Sequence, residues 1–216
     1  MSRCPHRWIA PCLAWLMTGA APVMAATQTY EPLAASVQTA LSAAVVGAPA
    51  PALRFDDPAS GYRWLLEMSS RLARSVSDLQ TRVDLLKMVH YEATRAGLDA
   101  HLVLGIIEVE SAFNRYAVSR AGARGLMQVM PFWVDLIGTP STNLFQMRTN
   151  LRFGCTILRH YLEIEGGNLT RALGRYNGSL GRNEYPDRVL AASRRWQLAE
   201  NDSSPRPGLS VNRAQP

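Results

Sequence analysis

One glutamate of this chain is followed at short distance by a polar, glycine-rich loop, and the residue types in this stretch could carry out chemistry on a ligand. Glu110 opens the run ESAFN, and the loop after it contains Gly122, Gly125 and Gln128. A carboxyl group can protonate a glycosidic oxygen, and glycine lets a backbone turn tightly or approach a ligand closely. The amide of Gln128 offers donors and an acceptor to sugar hydroxyl and acetamido groups. We therefore expect a saccharide site here, with the neighbouring methionines as an apolar wall.

Glu110 lies near the end of an apolar stretch, residues 99–113, that the residue spacing predicts to be a helix. At about 100° per residue, Val103, Ile107 and Glu110 share one stripe, whereas Glu108 points roughly the opposite way. A carboxyl group among aliphatic side chains loses hydration of its charged form, which raises its pKa. Glu110 is therefore the predicted proton donor, and an exposed glutamate at a helix end is the alternative.

Four segments together resemble the catalytic domain of the soluble lytic transglycosylases, lysozyme-like enzymes that cleave bacterial peptidoglycan. The segments are Glu110-Ser111, Gly125-Leu126-Met127-Gln128, Tyr176-Asn177, and Asn150-Leu151 followed by Gly154 and Tyr161-Leu162. The resemblance extends over residues 98–196. It implies a lysozyme-like, mainly α fold with at most a small β element, and Glu110 as the catalytic acid.

The same resemblance implies a substrate cleft around the loop and the downstream motifs. Its expected lining residues are Ser119, Gly125, Gln128, Met130, Tyr176, Asn177 and Tyr185. Tyr185 resembles a family position near the cleft, although an aromatic residue packed on the core at a helix start is an equally good interpretation. The family commonly reads Ala-Tyr-Asn-Ala-Gly at the third motif, whereas this chain has Arg175 before Tyr176. An arginine is therefore expected beside the cleft.

The number of acids bears on the reaction. Most glycoside hydrolases use two carboxylates that flank the scissile bond, but the linear positions of the other acids place none of them opposite Glu110. These acids are Asp135, Glu163, Glu165, Glu184 and Asp187. The resemblance implies a route in which one carboxylate acts as acid and then as base and leaves 1,6-anhydro-N-acetylmuramic acid ends. A hydrolysing muramidase and a non-catalytic peptidoglycan-binding subunit of a secretion or conjugation machine remain as alternatives.

The first 25 residues have the pattern of a secretory signal peptide. Arg3 and Arg7 form a basic start, an apolar segment broken by prolines follows, and Val23-Met24-Ala25 is a small-residue cleavage pattern. A membrane anchor would need about 18 uninterrupted apolar residues, and Cys12 after Pro11 lacks the small residue that lipoprotein processing requires. We therefore predict a periplasmic protein without a stable membrane anchor.

The chain is long enough for one globular domain with additions on either side. Composition and apolar spacing divide its 216 residues into five segments. They are a signal peptide (1–25), a flexible linker rich in Ala, Pro and Val (26–57), a helical extension packed on the core (58–97), the catalytic domain (98–198) and a disordered tail (199–216). A coiled coil that docks a partner is the alternative for the extension.

Apolar residues at three- and four-residue steps predict the helices. In the extension they indicate two helices broken near Ser77 or Thr81. In the catalytic domain they predict a helix over 143–165, a helix that Asn168 caps and that runs through Arg175, and a last helix over 185–198.

The chain carries a formal net charge of +6, and loss of the signal peptide would leave 21 basic against 17 acidic residues. Such a surface attracts an anionic wall polymer, so we expect a monomer that acts on peptidoglycan glycan strands, with an envelope-spanning secretion or conjugation complex as a further candidate partner. Nucleic acid is not expected, because the basic residues are scattered. No cofactor or metal is expected, since His90, His101 and His160 are isolated. Cys155 has the helical spacing of a core residue.

Overall fold

The computed structural model describes residues 28–46 and 57–198, and within these ranges the chain forms eight α-helices. They are α1 (Ala35–Val45), α2 (Pro58–Leu72), α3 (Leu79–Arg95), α4 (Ala100–Ser111), α5 (Phe132–Ile137), α6 (Met147–Ile164), α7 (Leu169–Asn177) and α8 (Glu184–Trp196). The predicted mainly α fold is confirmed, because the extended pairing in these ranges consists of the isolated bridges Val118–Arg124 and Arg124–Val129. The predicted signal peptide and tail lie outside the described residues.

Helix α4, which carries Glu110, lies in the core. Most of its residues are buried, and Asp99 caps its N-terminus by accepting a hydrogen bond from the His101 amide at 2.9 Å. Helix α8 packs directly against α4 at Gly105, where an added Cβ would lie 2.6 Å from the backbone nitrogen of Ser193. This close approach fixes the two helices that contribute most to the candidate site.

Helices α2 and α3 form a layer against the rest of the domain. The chain breaks between them at residues 73–78, as the spacing predicted, and Asp78 caps α3 by accepting from the Thr81 amide at 2.7 Å. Helix α3 packs on α4 and α6. In α2, Trp64 donates from Nε1 to Nε2 of His101 at 3.0 Å. In the described ranges, no helix has both the length and the apolar character that crossing a membrane requires.

Residues 35–45 differ from the expectation for the segment before α2. They form α1, which packs on α5 and α6 and buries Leu41. Gln38 donates from Nε2 to the carbonyl oxygen of Leu136 at 2.6 Å, and Arg95 donates to that of Ala44 at 2.8 Å. A short run rich in alanine carries little signal of its own, because tertiary packing supplies most of the stability of such a helix. The interpretation as a flexible linker is therefore wrong for these eleven residues.

The ends of the later helices differ from the prediction by a few residues. Helix α6 begins at Met147 rather than at residue 143, because Asn143 holds a turn with its side chain and its carbonyl oxygen. Asn168 caps α7 as predicted, but the helix continues to Asn177, where Gly178 with φ of 74° ends it. Helix α8 ends two residues before the predicted position.

A buried ionic cluster joins α3 to α6. Glu92 is fully buried, and its carboxylate oxygens lie 2.8 Å from Nη2 of Arg152 and 2.8 Å from Nε of Arg95. Arg148 lies farther away, at 3.6 Å. Cys155 is buried in the same region, as predicted for a core residue, and burial raises the pKa of its thiol.

Candidate active site

Glu110 lies in the last turn of α4, and only 6% of the residue is exposed. Burial raises its pKa from the ordinary 4.5 to about 7, while the hydrogen bond from Tyr185 and the positive charge of Arg188 act in the opposite direction. Loss of hydration of the charged form is the largest of these effects. A carboxyl group with this pKa is protonated in about half of the molecules at neutral pH, so it can donate a proton there.

Tyr185 contacts this carboxyl group directly. Its hydroxyl donates a hydrogen bond to Oε1 of Glu110 at 2.6 Å. Tyr185 lies in the first turn of α8 and is 3% exposed, so it packs on the core at a helix start and also reaches the candidate site. Burial and the Glu110 carboxylate raise the pKa of Tyr185 well above its usual value, which keeps the phenol protonated. Because Oε1 accepts this bond, we assign the proton of the acid form to Oε2.

Glu108 lies on another side of α4, as its position two residues earlier predicted. Its Oε1 accepts a hydrogen bond from Nη2 of Arg195 at 2.6 Å, and its Oε2 accepts one from Nε1 of Trp196 at 2.7 Å. About a third of its side chain is exposed. Glu108 therefore joins α4 to the end of α8, and its carboxylate is separate from the one that Tyr185 holds.

The loop after α4 has an unusual backbone beside Glu110. Ala112 and Phe113 have φ of 47° and 67°, and Gln128 has φ of 48°. Residues other than glycine rarely adopt positive φ, and such strain persists only where surrounding contacts determine the conformation. Ser111 supplies one of these contacts, because its hydroxyl donates to the carbonyl oxygen of Leu126 at 2.8 Å. The loop is thereby held against the end of α4.

Asn150 of α6 holds the loop from the other side. Its Oδ1 accepts from the Met127 amide at 2.7 Å, and its Nδ2 donates to the carbonyl oxygens of Arg124 and Leu144 at 2.8 and 2.9 Å. Gly125, with φ of 76°, lies so close that an added Cβ would overlap this amide. Asn150 belongs to one of the sequence motifs, but the sequence alone predicts no role for its side chain. The sequence does hold a clue to that role, because Asn150 is the only side-chain amide among the buried residues of α6. A buried polar side chain needs hydrogen-bond partners.

Gln128 and Ser119, two of the predicted lining residues, use their polar groups inside the loop. Nε2 of Gln128 donates to the carbonyl oxygens of Gly125 at 2.8 Å and Ala117 at 3.2 Å. Oγ of Ser119 accepts from the Ala123 amide at 3.1 Å, in the turn around Gly122. The expectation that Gln128 offers donors to a sugar is therefore wrong. Among the described residues, the side-chain carbonyl oxygen of Gln128 has no hydrogen-bond donor, so this atom remains for a ligand.

Tyr176 and Asn177 lie in the last turn of α7, and both are buried. The hydroxyl of Tyr176 donates to the carbonyl oxygen of Met127 at 2.7 Å, so it supports the loop from inside. Burial, and then the nearby Glu110 carboxylate, raise the pKa of Tyr176. Met130, at the end of the loop, is partly buried against the core. The structure thus brings the loop, both tyrosines and Glu110 together.

The other acids considered for the site are engaged or exposed elsewhere. Glu163 pairs with Arg159, and Glu165 pairs with Arg171 and Arg175. The exposed acids are Asp135, Glu184 and Asp187. In the part of the chain that the structure describes, no carboxylate contributes to the pKa shift of Glu110, and no three acidic, histidine or cysteine side chains cluster as a metal site would require.

Known proteins share this sequence pattern over part of the chain. A family model described as the transglycosylase SLT domain matches residues 87–194. Membrane-bound lytic murein transglycosylase C of Glaesserella parasuis is 61% identical over 46 residues, which cover 21% of this chain and 13% of the relative. The protein of that name from Haemophilus influenzae (strain PittEE) is 52% identical over 82 residues, which cover 34% and 23%. The chain therefore spans less than a quarter of the length of these relatives.

A solved structure is similar as well. An inactive mutant of lytic transglycosylase Slt from Pseudomonas aeruginosa matches with a TM-score of 0.47 and 23% sequence identity, and the match covers 64% of this chain and 28% of that one. The family match extends over half of the present chain and includes Glu110, the loop and the two downstream motifs. The chain therefore belongs to the transglycosylase SLT domain family.

Proposed function

We propose that this protein is a lytic transglycosylase that cleaves the bond between N-acetylmuramic acid and N-acetylglucosamine in peptidoglycan and leaves 1,6-anhydro ends. The observation that carries the proposal is the Glu110 carboxyl group, which is buried, hydrogen-bonded by Tyr185 and has a pKa of about 7. Such a group can deliver a proton and recover it. Membership of the SLT domain family supports the substrate class.

Glu110 acts first as an acid. The proton on Oε2 passes to the glycosidic oxygen as the bond between that oxygen and C1 of N-acetylmuramic acid breaks. The N-acetyl group of the substrate stabilises the positive charge that develops at C1. The hydrogen bond from Tyr185 to Oε1 then stabilises the new carboxylate, because bonds to charged acceptors are stronger than bonds between neutral groups.

Glu110 acts next as a base. It takes the proton of the C6 hydroxyl of the same sugar while O6 forms a bond to C1. The sugar closes on itself, no water is consumed, and the proton is back on Glu110 for the next turnover. A site with a single carboxylate can complete this cycle, whereas the common hydrolytic routes need a second one beside the scissile bond.

The strained loop is the proposed wall of the cleft. Gln128, whose donors are occupied, would accept a hydrogen bond from a sugar hydroxyl or amide through its carbonyl oxygen. Met130 would supply apolar contact. Ser119, Gly125, Tyr176 and Asn177 act mainly by shaping the backbone. The hydrogen bonds of Asn150 keep this wall fixed relative to Glu110, as a preorganised site requires.

We place the reaction in the periplasm, at the cell wall. The signal-peptide pattern of residues 1–25 supports this location, and the relatives named above are murein transglycosylases by name. A secretion or conjugation assembly that spans the envelope is the proposed setting. Pull-down with neighbouring envelope proteins tests that partner, and light scattering tests the proposed monomeric state.

Mass spectrometry of digested sacculi tests the reaction. Anhydro-ended fragments, lighter by one water than reducing-end fragments, are the expected products. Reducing ends alone would show a hydrolysing muramidase and contradict the proposal. Retained binding to sacculi without any new sugar ends would show a binding subunit that has no catalytic role.

A further inference from the structure

A short segment before α1 lies against the proposed cleft. Gln28 is only 4% exposed, and its Oε1 accepts a hydrogen bond from the Met130 amide at 3.3 Å. Its side chain also approaches the hydroxyl of Tyr176. A carboxamide therefore lies beside two residues of the proposed cleft, with its oxygen at the Met130 amide and its side chain near the Tyr176 hydroxyl.

Two further contacts hold this segment in place. Oε1 of Glu31 lies 2.9 Å from Nη1 of Arg175, and the ring of Tyr30 meets the ring of Phe132 edge to face, with centroids 5.6 Å apart. Arg175 is the first of three residues at which this chain differs from the family's common Ala-Tyr-Asn-Ala-Gly, the other two being Gly178 and Ser179. The departure thus has a structural consequence, because an alanine could not pair with Glu31.

The proposed catalytic groups are covered in this arrangement. Glu110 is 6% exposed, Gln128 is 3% exposed and Tyr185 is 3% exposed. An enzyme that cleaves a polymer must admit several sugar rings to its acid, so a segment that lies on the wall of the cleft would limit this access. The segment with Gln28 is in contact with the cleft, and it is not part of any helix.

We propose that residues 28–31 form an autoinhibitory strap, in which Gln28 occupies part of the sugar cleft and the Glu31–Arg175 ion pair keeps the segment closed. This inference rests on the proposed function. The carboxamide of Gln28 offers an amide donor and an acceptor, as an N-acetyl group does, and its oxygen occupies the backbone donor of Met130 at the wall of the proposed cleft. Opening requires these few contacts to break, while α1 stays attached through Gln38.

The contacts of the strap suit a segment that opens readily. The hydrogen bond to Met130 is long, and the Glu31 side chain is half exposed, so the ion pair is weak and is screened by salt. Loss of one such pair changes an opening equilibrium by about two- to fivefold. A glycan strand that fills the cleft would therefore displace the strap.

Three variants test the strap, with one matched control. Glu31→Gln and Arg175→Ala break the ion pair, and Gln28→Ala removes the carboxamide. Arg171→Ala is the control, because Arg171 also pairs with Glu165 but has no contact with Glu31. Hydrogen exchange of the Met130 amide reports opening without any need for catalysis. Binding of a purified tetrasaccharide of alternating N-acetylglucosamine and N-acetylmuramic acid, measured in the Glu110→Gln background, reports access to the cleft.

The strap variants should exchange the Met130 amide faster and bind the tetrasaccharide about two- to fivefold more tightly, and the control should match the parent chain. Weaker binding would show that residues 28–31 are part of the sugar-binding wall and would overturn the proposal. Unchanged exchange and binding would overturn it as well. If the parent chain releases no anhydro fragments while exchange and binding respond as expected, the proposed reaction fails and the strap remains.

Discussion

Glu92 and Glu110 are both buried in the described part of the chain, and their surroundings differ. Glu92 lies between α3 and α6, where Arg152 and Arg95 pair with its carboxylate at 2.8 Å. Glu110 lies at the end of α4, where its direct partner is the neutral hydroxyl of Tyr185. The first is surrounded by guanidinium groups, and the second has only the more distant charge of Arg188.

The difference shows how the same side chain becomes a cross-link in one place and an acid in another. A buried carboxylate that is matched by cations contributes charge pairs that join two helices. A buried carboxyl group without such a partner keeps its proton to higher pH, because its charged form lacks hydration. The chemistry at Glu110 thus depends on the absence of an arginine paired with its carboxylate.

Replacing Glu110 by Gln should have the largest effect. We expect the release of soluble fragments from sacculi to fall by about a thousandfold or more, since general acid and base catalysis both depend on this side chain. Glu108→Gln is the matched control on the same helix, and it should retain activity, because Glu108 contacts Arg195 and Trp196 instead. Wall lysis by the Glu110 variant at the parent rate would refute the assignment.

Replacing Arg152 by Ala should act on the other glutamate. We expect the free energy of unfolding in urea to fall by about 1.5 to 3 kcal/mol, because Glu92 loses the hydrogen bonds from the buried Arg152 guanidinium and keeps Arg95 as its partner. Activity per folded molecule should stay the same. Arg159→Ala, which breaks the exposed pair with Glu163, should lower stability by less than about 1 kcal/mol. If both variants lost the same free energy of unfolding, the buried ion pair of Glu92 would contribute no more to stability than the exposed pair of Glu163.

Stability should depend on pH in a way that reports Glu110. Its pKa is higher in the folded protein than in the unfolded chain, so the unfolded chain releases this proton first as pH rises. The contribution of Glu110 to stability therefore falls between about pH 4.5 and 7, by about 3 kcal/mol in total. Glu110→Gln should be more stable than the parent above pH 7 and should show no gain below pH 4.5. Denaturant titrations measure the difference in unfolding free energy between this variant and the parent chain. A difference that stays constant from pH 4.5 to 7 would contradict a raised pKa of Glu110.

Tyr185→Phe should have the smallest of these effects. The hydrogen bond from Tyr185 lowers the pKa of Glu110, so its loss should raise that pKa further. We expect the alkaline limb of the rate against pH to move up by about one pH unit, together with a lower maximal rate, because the carboxylate formed after proton donation loses a donor. If the alkaline limb moved to lower pH instead, the hydrogen bond from Tyr185 would favour the protonated form of Glu110.

The spacing of nearby residues predicted much of the site, because the helical period decides which of these residues share a face. The period of α4 separated Glu110 from Glu108 and placed Glu110 among aliphatic residues, and polar side chains before apolar runs indicated caps such as Asn168. These features arise from residues a few positions apart, so they can be predicted from the chain without knowledge of its packing.

The remaining features depend on contacts between distant parts of the chain. Tyr185 meets Glu110 across 75 positions, because α8 packs on α4 at Gly105. The hydrogen bonds of Asn150 and the occupied donors of Gln128 follow from the folded loop. Gln28 contacts Met130 across 102 positions, in a segment whose composition gave no sign of such a contact. Sequence spacing therefore indicates which residues can carry out chemistry. It does not indicate which distant residues form hydrogen bonds with them in the folded protein.

The ionisation of Glu110 can be measured directly. In protein with ¹³C-labelled glutamate, the carboxyl resonance that is missing from the Glu110→Gln variant should titrate with a midpoint of about 7. The loss of sacculus cleavage at rising pH should follow the same midpoint. A midpoint at the ordinary 4.5, with cleavage unaffected between pH 5 and 8, would contradict the role of a buried, protonated Glu110 as the acid of this site.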